Sequence, residues 1–217
     1  MGDLFTKFSE LPGYGIGGLV VILLYAIQAE VRFGARARTA RAGSADRHST
    51  VAVSASTAVV ILGWALAMRA NSPSFASILP DWFRTARLPG MPAAAWSGVV
   101  LGMLGIALRL WAVLTLRERY TRTLFVQPQH AVERSGPYRR LRHPGYLGSL
   151  LALNGAALTS GNWAALAASL AATSAAYAYR IHVEDMMLVA AFGQPYADYR
   201  REVRALLPVL RGSQRSE

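Results

Sequence analysis

The stretch Tyr146–Tyr179, YLGSLLALNGAALTSGNWAALAASLAATSAAYAY, decides the fold. It carries no charged residue. Two apolar runs, about Tyr146 to Thr159 and Trp163 to Tyr179, are separated only by Ser160, Gly161 and Asn162. A link this short permits an antiparallel helical hairpin and little else. A bilayer core takes about 20 apolar residues in helical form, so both arms are short for membrane spans.

Three further apolar runs precede the hairpin: about Tyr14 to Ala29, Val51 to Met68, and Ala93 to Leu116, the last interrupted by Arg109. The arginines sort between the connections. Arg32, Arg36, Arg38, Arg41 and Arg47 follow the first run. Arg117, Arg119, Arg122, Arg134, Arg139, Arg140 and Arg142 follow the third. Arg180, Arg200, Arg201, Arg204, Arg211 and Arg215 follow the hairpin. The connection from Ala70 to Pro92 has only Arg84 and Arg87, offset by Asp81. Five spans place every arginine-rich segment on one side, and the positive-inside rule makes that side cytoplasmic and the N-terminus external. The fold expected is therefore an all-α integral membrane protein of about five transmembrane helices, ending in a short helical hairpin.

Composition agrees. Of 217 residues, 53% are hydrophobic and 16% charged, with a mean hydropathy of +0.26. A soluble domain carries roughly 25% charged residues. The net charge is +11. Because the cations lie between apolar runs, they suit anionic lipid headgroups rather than nucleic acid. Without cysteine there is no disulfide, thiolate metal site or Cys nucleophile. Lys7 is the only lysine, and this arginine and alanine bias points to a GC-rich bacterial genome, hence to the inner membrane. Gln28, Glu30 and Arg32 follow the first run where a signal-peptide cleavage site would stand, so it reads as a retained span.

The chemistry concentrates just before the hairpin, in Gly136-Pro137-Tyr138-Arg139-Arg140-Leu141-Arg142-His143-Pro144-Gly145-Tyr146-Leu147-Gly148. Pro137 and Pro144 restrict the backbone, while Gly145 and Gly148 allow close approach of a ligand or helix. Such a segment suits a shaped pocket at headgroup level. A second cluster, Arg180-Ile181-His182-Val183-Glu184-Asp185, follows the hairpin, with Arg180 and Glu184 on one helical face. A closed hairpin has both ends on one side, so the two clusters should meet at one membrane boundary.

Gly-Pro-Tyr at 136–138, Arg142-His143-Pro144-x-Tyr146-x-Gly148, Arg180-Ile181-x-x-Glu184-Asp185 and Phe192-Gly193-x-x-Tyr196-x-x-Tyr199 together resemble the isoprenylcysteine carboxyl methyltransferases and the related phospholipid methyltransferases. The resemblance covers about Leu108 to Pro208. It divides the chain into an N-terminal membrane region at 1–107, a methyltransferase core at 108–208 and a tail at 209–217. It implies S-adenosylmethionine in a cytoplasmic pocket with no Rossmann sheet. Gln127, His130, Ala131, Val132, Glu133, Tyr138, His143, Pro144, Gly145, Tyr146 and Glu184 would surround the cofactor. Arg180 and Glu184 would be catalytic, with Arg180 also binding substrate. Arg109 is added as a second substrate-binding cation because it lies near the same boundary. Two positions depart from the family: Asp185 replaces a more usual Glu, and Leu116-Arg117-Glu118 replaces Leu-Gly-Arg.

These roles are physically coherent. Glu184 can accept hydrogen bonds from the cofactor's ammonium group, and Tyr138 and Tyr146 can meet adenine, ribose or sulfonium. Arg180 can grip a carboxylate bidentately. Methyl transfer needs positioning rather than acid–base work, and no metal. The acceptor expected is lipophilic or prenylated, entering sideways between the third and fifth spans. Plainer readings stand beside these. Arg139, Arg140 and Arg142 serve as interfacial anchors, Tyr138 and Tyr146 as aromatic-belt residues, and Arg180–Glu184 as a surface ion pair. Snorkelling accounts for Arg109, and Phe192-Gly193 with Tyr196 marks a helix break. Two other functions compete: phospholipid or amine N-methylation, and an NADPH-dependent reductase of the sterol reductase type, which shares an Arg-His-x-x-Tyr-x-Gly element.

Overall fold

The computed structural model describes residues 12–31, 46–70, 72–73, 77–116 and 132–206. Among them every regular element is helical. In chain order these are α1 (Gly13–Val31), α2 (Ser49–Arg69), the short α3 (Asp81–Arg84), α4 (Ala93–Leu116), a 3-10 turn (Gly136–Arg139), α5 (Pro144–Thr159), α6 (Trp163–Phe192) and α7 (Gln194–Glu202). The helices α2 and α4 are long and apolar enough to cross a membrane, and Gly13–Gln28 is a shorter apolar helix.

The hairpin forms as its sequence requires. Gly161 takes φ 65°, which only glycine adopts freely, and so reverses the chain. Asn162 then caps α6, its side-chain oxygen accepting from the Ala164 and Ala165 amides at 3.0 Å each. The connection before α4 is tied to this turn: Leu88 N–H donates to Gly161 O at 2.8 Å, and Trp163 N–H to Ala86 O at 2.9 Å. One end of the bundle thus collects 83–88 and 160–163.

Helix α5 is short but central, packing on α1, α2, α4 and α6. It buries 11 of its 16 residues. Enclosed by helices rather than lipid, it needs small residues more than greasy ones. Gly105 on α4 lies so close to it that a Cβ there would stand 2.4 Å from Ala152 N, and one on Gly155 would stand 2.5 Å from Gly102 N. Small residues let the two backbones touch, which is how membrane helices gain dispersion contact. Polar groups inside are matched to one another: Ser169 donates to Asn154 Oδ1 at 2.8 Å, and Asn154 Nδ2 donates to Thr173 at 3.1 Å.

The second hairpin arm departs from expectation. No new helix begins near Arg180; α6 runs unbroken for 30 residues from Trp163 to Phe192. Nothing between Tyr179 and Phe192 is Gly or Pro, so no residue stops it until Gly193, at φ 61°, with Pro195 close behind. At about 1.5 Å per residue, α6 carries its charged cluster well beyond the apolar run.

Candidate active site

Both charged clusters meet at the end of the bundle opposite the 160–162 turn. The first arrives on the 3-10 turn, which buries Pro137 and Tyr138, and on the start of α5. His143 stands at the N-terminal boundary of α5, and Pro144 opens the helix, where its missing N–H costs nothing. The second arrives on α6. Helix α7 folds back across them, held because Tyr199 donates to Tyr138 O at 2.7 Å. The chain beyond α7 completes the clamp: Arg142 N–H donates to Arg204 O at 2.9 Å, and His143 N–H to Ala205 O at 3.0 Å.

At the centre lies a buried cluster of charges. His143 Nε2 is 3.0 Å from Asp185 Oδ1, and its Nδ1 is 3.3 Å from Glu184 Oε2. Asp185 also accepts from Arg142 at 2.7 Å and from the Tyr196 hydroxyl at 2.5 Å. Burial works against a charged imidazole, but the hydrogen bonds and negative charges of Asp185 and Glu184 outweigh it, and His143 is pushed up to about 9. For Asp185, burial is outweighed by His143, Tyr196 and Arg142, which bring its carboxyl down to about 2. Glu184 is likewise held below the usual carboxylate range, burial being overcome chiefly by His143. At neutral pH this is an imidazolium between two carboxylates. Glu184 Oε2 is buried, with His143 Nδ1 against it at 3.3 Å.

Arg180 is joined to this cluster through Tyr146. Its Nε donates to the Tyr146 hydroxyl at 3.0 Å, and the Tyr146 ring stacks on His143 at 5.4 Å with 9° between planes. Arg180 pairs with Asp46 at 2.9 Å, both side chains being buried. Arg109 lies farther along the same polar path. Its guanidinium sits 5.1 Å over the Tyr25 ring, Tyr25 and Tyr177 share a hydroxyl hydrogen bond of 3.0 Å, and Tyr177 packs on Tyr146 at 5.5 Å. Arg109 also donates to Ser149 at 2.6 Å. Ala112, on the expected wall of a lateral opening, is instead fully buried, close to Gly145.

Of the residues singled out from sequence, Tyr138, His143, Pro144, Gly145, Tyr146, Arg180 and Glu184 gather here, with Val132 and Glu133 leading into the 3-10 turn. Gln127, His130 and Ala131 lie outside the described residues. Arg139 and Arg140 are exposed. Sequence reasoning missed Asp46, the Arg142–Asp185 pair and Tyr25. Asp46 carried no cap signature, because it lies two residues before His48, the N-cap of α2.

Residues 93–195 match the family model described as phospholipid methyltransferase. A protein-S-isoprenylcysteine O-methyltransferase of Tribolium castaneum is 28% identical over 60% of this chain and 48% of its own length. A cobalt-zinc-cadmium resistance protein of Cupriavidus metallidurans is 34% identical over 52% of this chain and 50% of its own. The chain thus spans about half the length of these curated relatives. The solved structure of a eukaryotic intramembrane Ras methyltransferase, an isoprenylcysteine carboxyl methyltransferase, shares the fold: TM-score 0.53, 23% identity, covering 75% of this chain and 53% of that one. The resemblance carried by the motifs therefore holds.

Proposed function

We propose that this chain is an integral membrane methyltransferase that uses S-adenosylmethionine and methylates a lipophilic acceptor at the cytoplasmic face. The favoured reaction is O-methylation of the carboxylate of a prenylated, isoprenylcysteine-like acceptor. One observation carries this reading: the 3-10 turn, His143, Tyr146, Arg180 and Glu184 converge at one end of the bundle. All of them lie within the stretch that matches the family model. We take α1, α2, α4, α5 and the apolar run of α6, about Trp163 to Tyr179, as five spans of a bacterial inner membrane protein. Its N-terminus is then external and its C-terminus cytoplasmic, with lipids around it. The region 1–107 is the N-terminal membrane region, 108–208 the methyltransferase core and 209–217 a tail.

The residues fit the cofactor on one direct ground. Glu184 is held as a carboxylate at the site by His143, 3.3 Å from its Oε2, and an ammonium group needs such an anion as its partner. When bound, S-adenosylmethionine supplies a methyl carbon whose bond to sulfur breaks as an acceptor oxygen bonds to it, the electron pair staying on sulfur. The protein's own work is holding. Tyr138 and Tyr146, with Val132, Glu133, Pro144 and Gly145, would line the cofactor, together with Gln127, His130 and Ala131. His143 fixes the Glu184 carboxylate and, being an imidazolium at neutral pH, is no proton acceptor. Arg180, held by Tyr146 and Asp46, orients the acceptor carboxylate by its charge and fixed plane, and Arg109 draws the anionic head toward the site. Excluding water at this boundary strengthens each of these contacts.

Phospholipid or amine N-methylation is the second reading, favoured by the description of the matching family model. Isothermal titration of the detergent-purified protein with S-adenosylhomocysteine and with NADPH tests the cofactor assignment. Saturable binding of the first alone is expected; binding of NADPH alone makes the chain a reductase.

A further inference from the structure

The contacts of Arg180 begin outside the family-matched region. Residues 46–48 lie just before α2, in the N-terminal half of the chain. Asp46 is 3% exposed there, and its Oδ1 accepts from Arg180 at 2.9 Å, Ser49 Oγ at 3.1 Å and Thr50 Oγ1 at 2.9 Å. Its Oδ2 accepts from the Thr50 amide at 3.2 Å. The same Arg180 nitrogen, Nη1, shares its two N–H groups among Asp46, Ser49 Oγ at 3.0 Å and Thr50 Oγ1 at 2.7 Å. Each hydroxyl thus accepts from Arg180 and donates to Asp46, closing a small network around one edge of the guanidinium. The turn that delivers Asp46 is strained: Arg47 and His48 both have positive φ, 44° and 62°. Such residues cost on the order of 1–3 kcal/mol each and persist only where their surroundings impose them. One such restraint is present, since the Tyr179 hydroxyl donates to Arg47 O at 2.7 Å, one residue before Arg180 on α6.

Capping α2 would not require this arrangement. An aspartate can cap a helix end in water without a strained turn and without a buried cation. Burying both charges is favourable only when their geometry is well satisfied, and here the satisfied geometry fixes where the guanidinium lies.

We infer that Asp46 is a positioning residue for methyl transfer: it locks Arg180 in the orientation from which Arg180 presents the acceptor. The inference rests on the methyltransferase reading above. Displacement of a reacting group by about 1 Å can cost about a hundredfold in rate, so loosening Arg180 should act on turnover. It should leave the cofactor, which Glu184 holds, largely untouched.

The experiment is a double-mutant cycle of Asp46→Asn and Arg180→Lys in the full-length protein. It is read by S-adenosylhomocysteine titration and by methylation of an N-acylated S-farnesylcysteine. Asp46→Asn should lower kcat about tenfold or more while moving the S-adenosylhomocysteine Kd less than twofold. The double variant should be no slower than Arg180→Lys alone, because both changes remove one function. Wild-type kcat in Asp46→Asn overturns the inference, as do losses that multiply in the double variant. If Asp46→Asn fails to fold, Thr50→Val carries the test: a loss of kcat of about threefold is expected, and an unchanged kcat overturns the inference. A wild-type protein that binds no S-adenosylhomocysteine would instead sink the methyltransferase reading itself.

Discussion

His143 stands between two acids, its Nε2 3.0 Å from Asp185 and its Nδ1 3.3 Å from Glu184, so one imidazole ties the start of α5 to the middle of α6. The pH dependence follows from its charge. His143 is raised from 6.5 to about 9 on folding, so its contribution is fully present below pH 6.5 and is lost as pH rises through about 9. Asp185 is lowered from 3.8 to about 2, so its contribution is present above pH 3.8 and is lost as pH falls through about 2. Thermal unfolding in detergent should give the highest Tm between about pH 4 and 6.5. His143→Gln should flatten the alkaline side, removing an effect on the order of a few kcal/mol. An alkaline limb equally steep in the variant would show that another group controls it.

Glu184 and Arg180 have separable roles. Glu184→Gln removes the charge meant for an ammonium group and should weaken S-adenosylhomocysteine binding about tenfold or more. Arg180→Lys keeps the charge but loses the planar fork, so it should mainly lower turnover. Titration and single-turnover rates on both variants check this, and equal loss of cofactor affinity in both would refute the division.

The short hydrogen bond from Tyr196 to Asp185, 2.5 Å, joins α7 to the charge cluster. Tyr196→Phe keeps the ring and removes this donor. Hydrogen bonds to charged groups are worth about 1.5–3 kcal/mol, so the variant should lose stability of that order and raise the Asp185 pKa. Guanidinium-independent thermal melts at pH 6 measure the first; a Tm within error of wild type would remove α7 from the account of the site.

Two glycines make a matched pair for packing. A Cβ on Gly105 would lie 2.4 Å from the Ala152 amide nitrogen, whereas one on Gly63 would meet Ala165 Cβ at 3.6 Å, an ordinary contact. Gly105→Ala should therefore destabilise by about 1–3 kcal/mol. Gly63→Ala, in a helix interior, should be neutral or gain up to about 1 kcal/mol. Melting temperatures of the two variants in the same detergent test the contrast, and equal values would contradict the α4–α5 crossing.

Much of this was legible in the sequence because hydropathy and charge act over short distances. The helix Ala93–Leu116 matched its apolar run to the residue, and the three-residue link at 160–162 forced the hairpin. The motif Gly136–Gly148 was recognisable because its residues are local in sequence. What escaped depends on distant partners. Asp46 lies 134 residues from Arg180, and no period or spacing relates them. Arg142 read as one interfacial cation among several until α6 placed Asp185 against it. The full length of α6 escaped because charge was taken as the end of a span, whereas those charges pair with α5 and leave the helix unbroken.

The central claim is methyl transfer to a lipophilic acceptor, and transfer of labelled methyl from S-adenosylmethionine tests it most directly. The purified protein is incubated in lipid with S-adenosylmethionine labelled in its methyl group and an N-acylated S-farnesylcysteine. The organic phase is then counted before and after treatment with alkali, which cleaves a methyl ester to volatile methanol and leaves an N-methyl amine intact. The account predicts label in the organic phase that alkali releases as methanol. No transfer to this acceptor or to phosphatidylethanolamine, with no binding of S-adenosylhomocysteine, would contradict it.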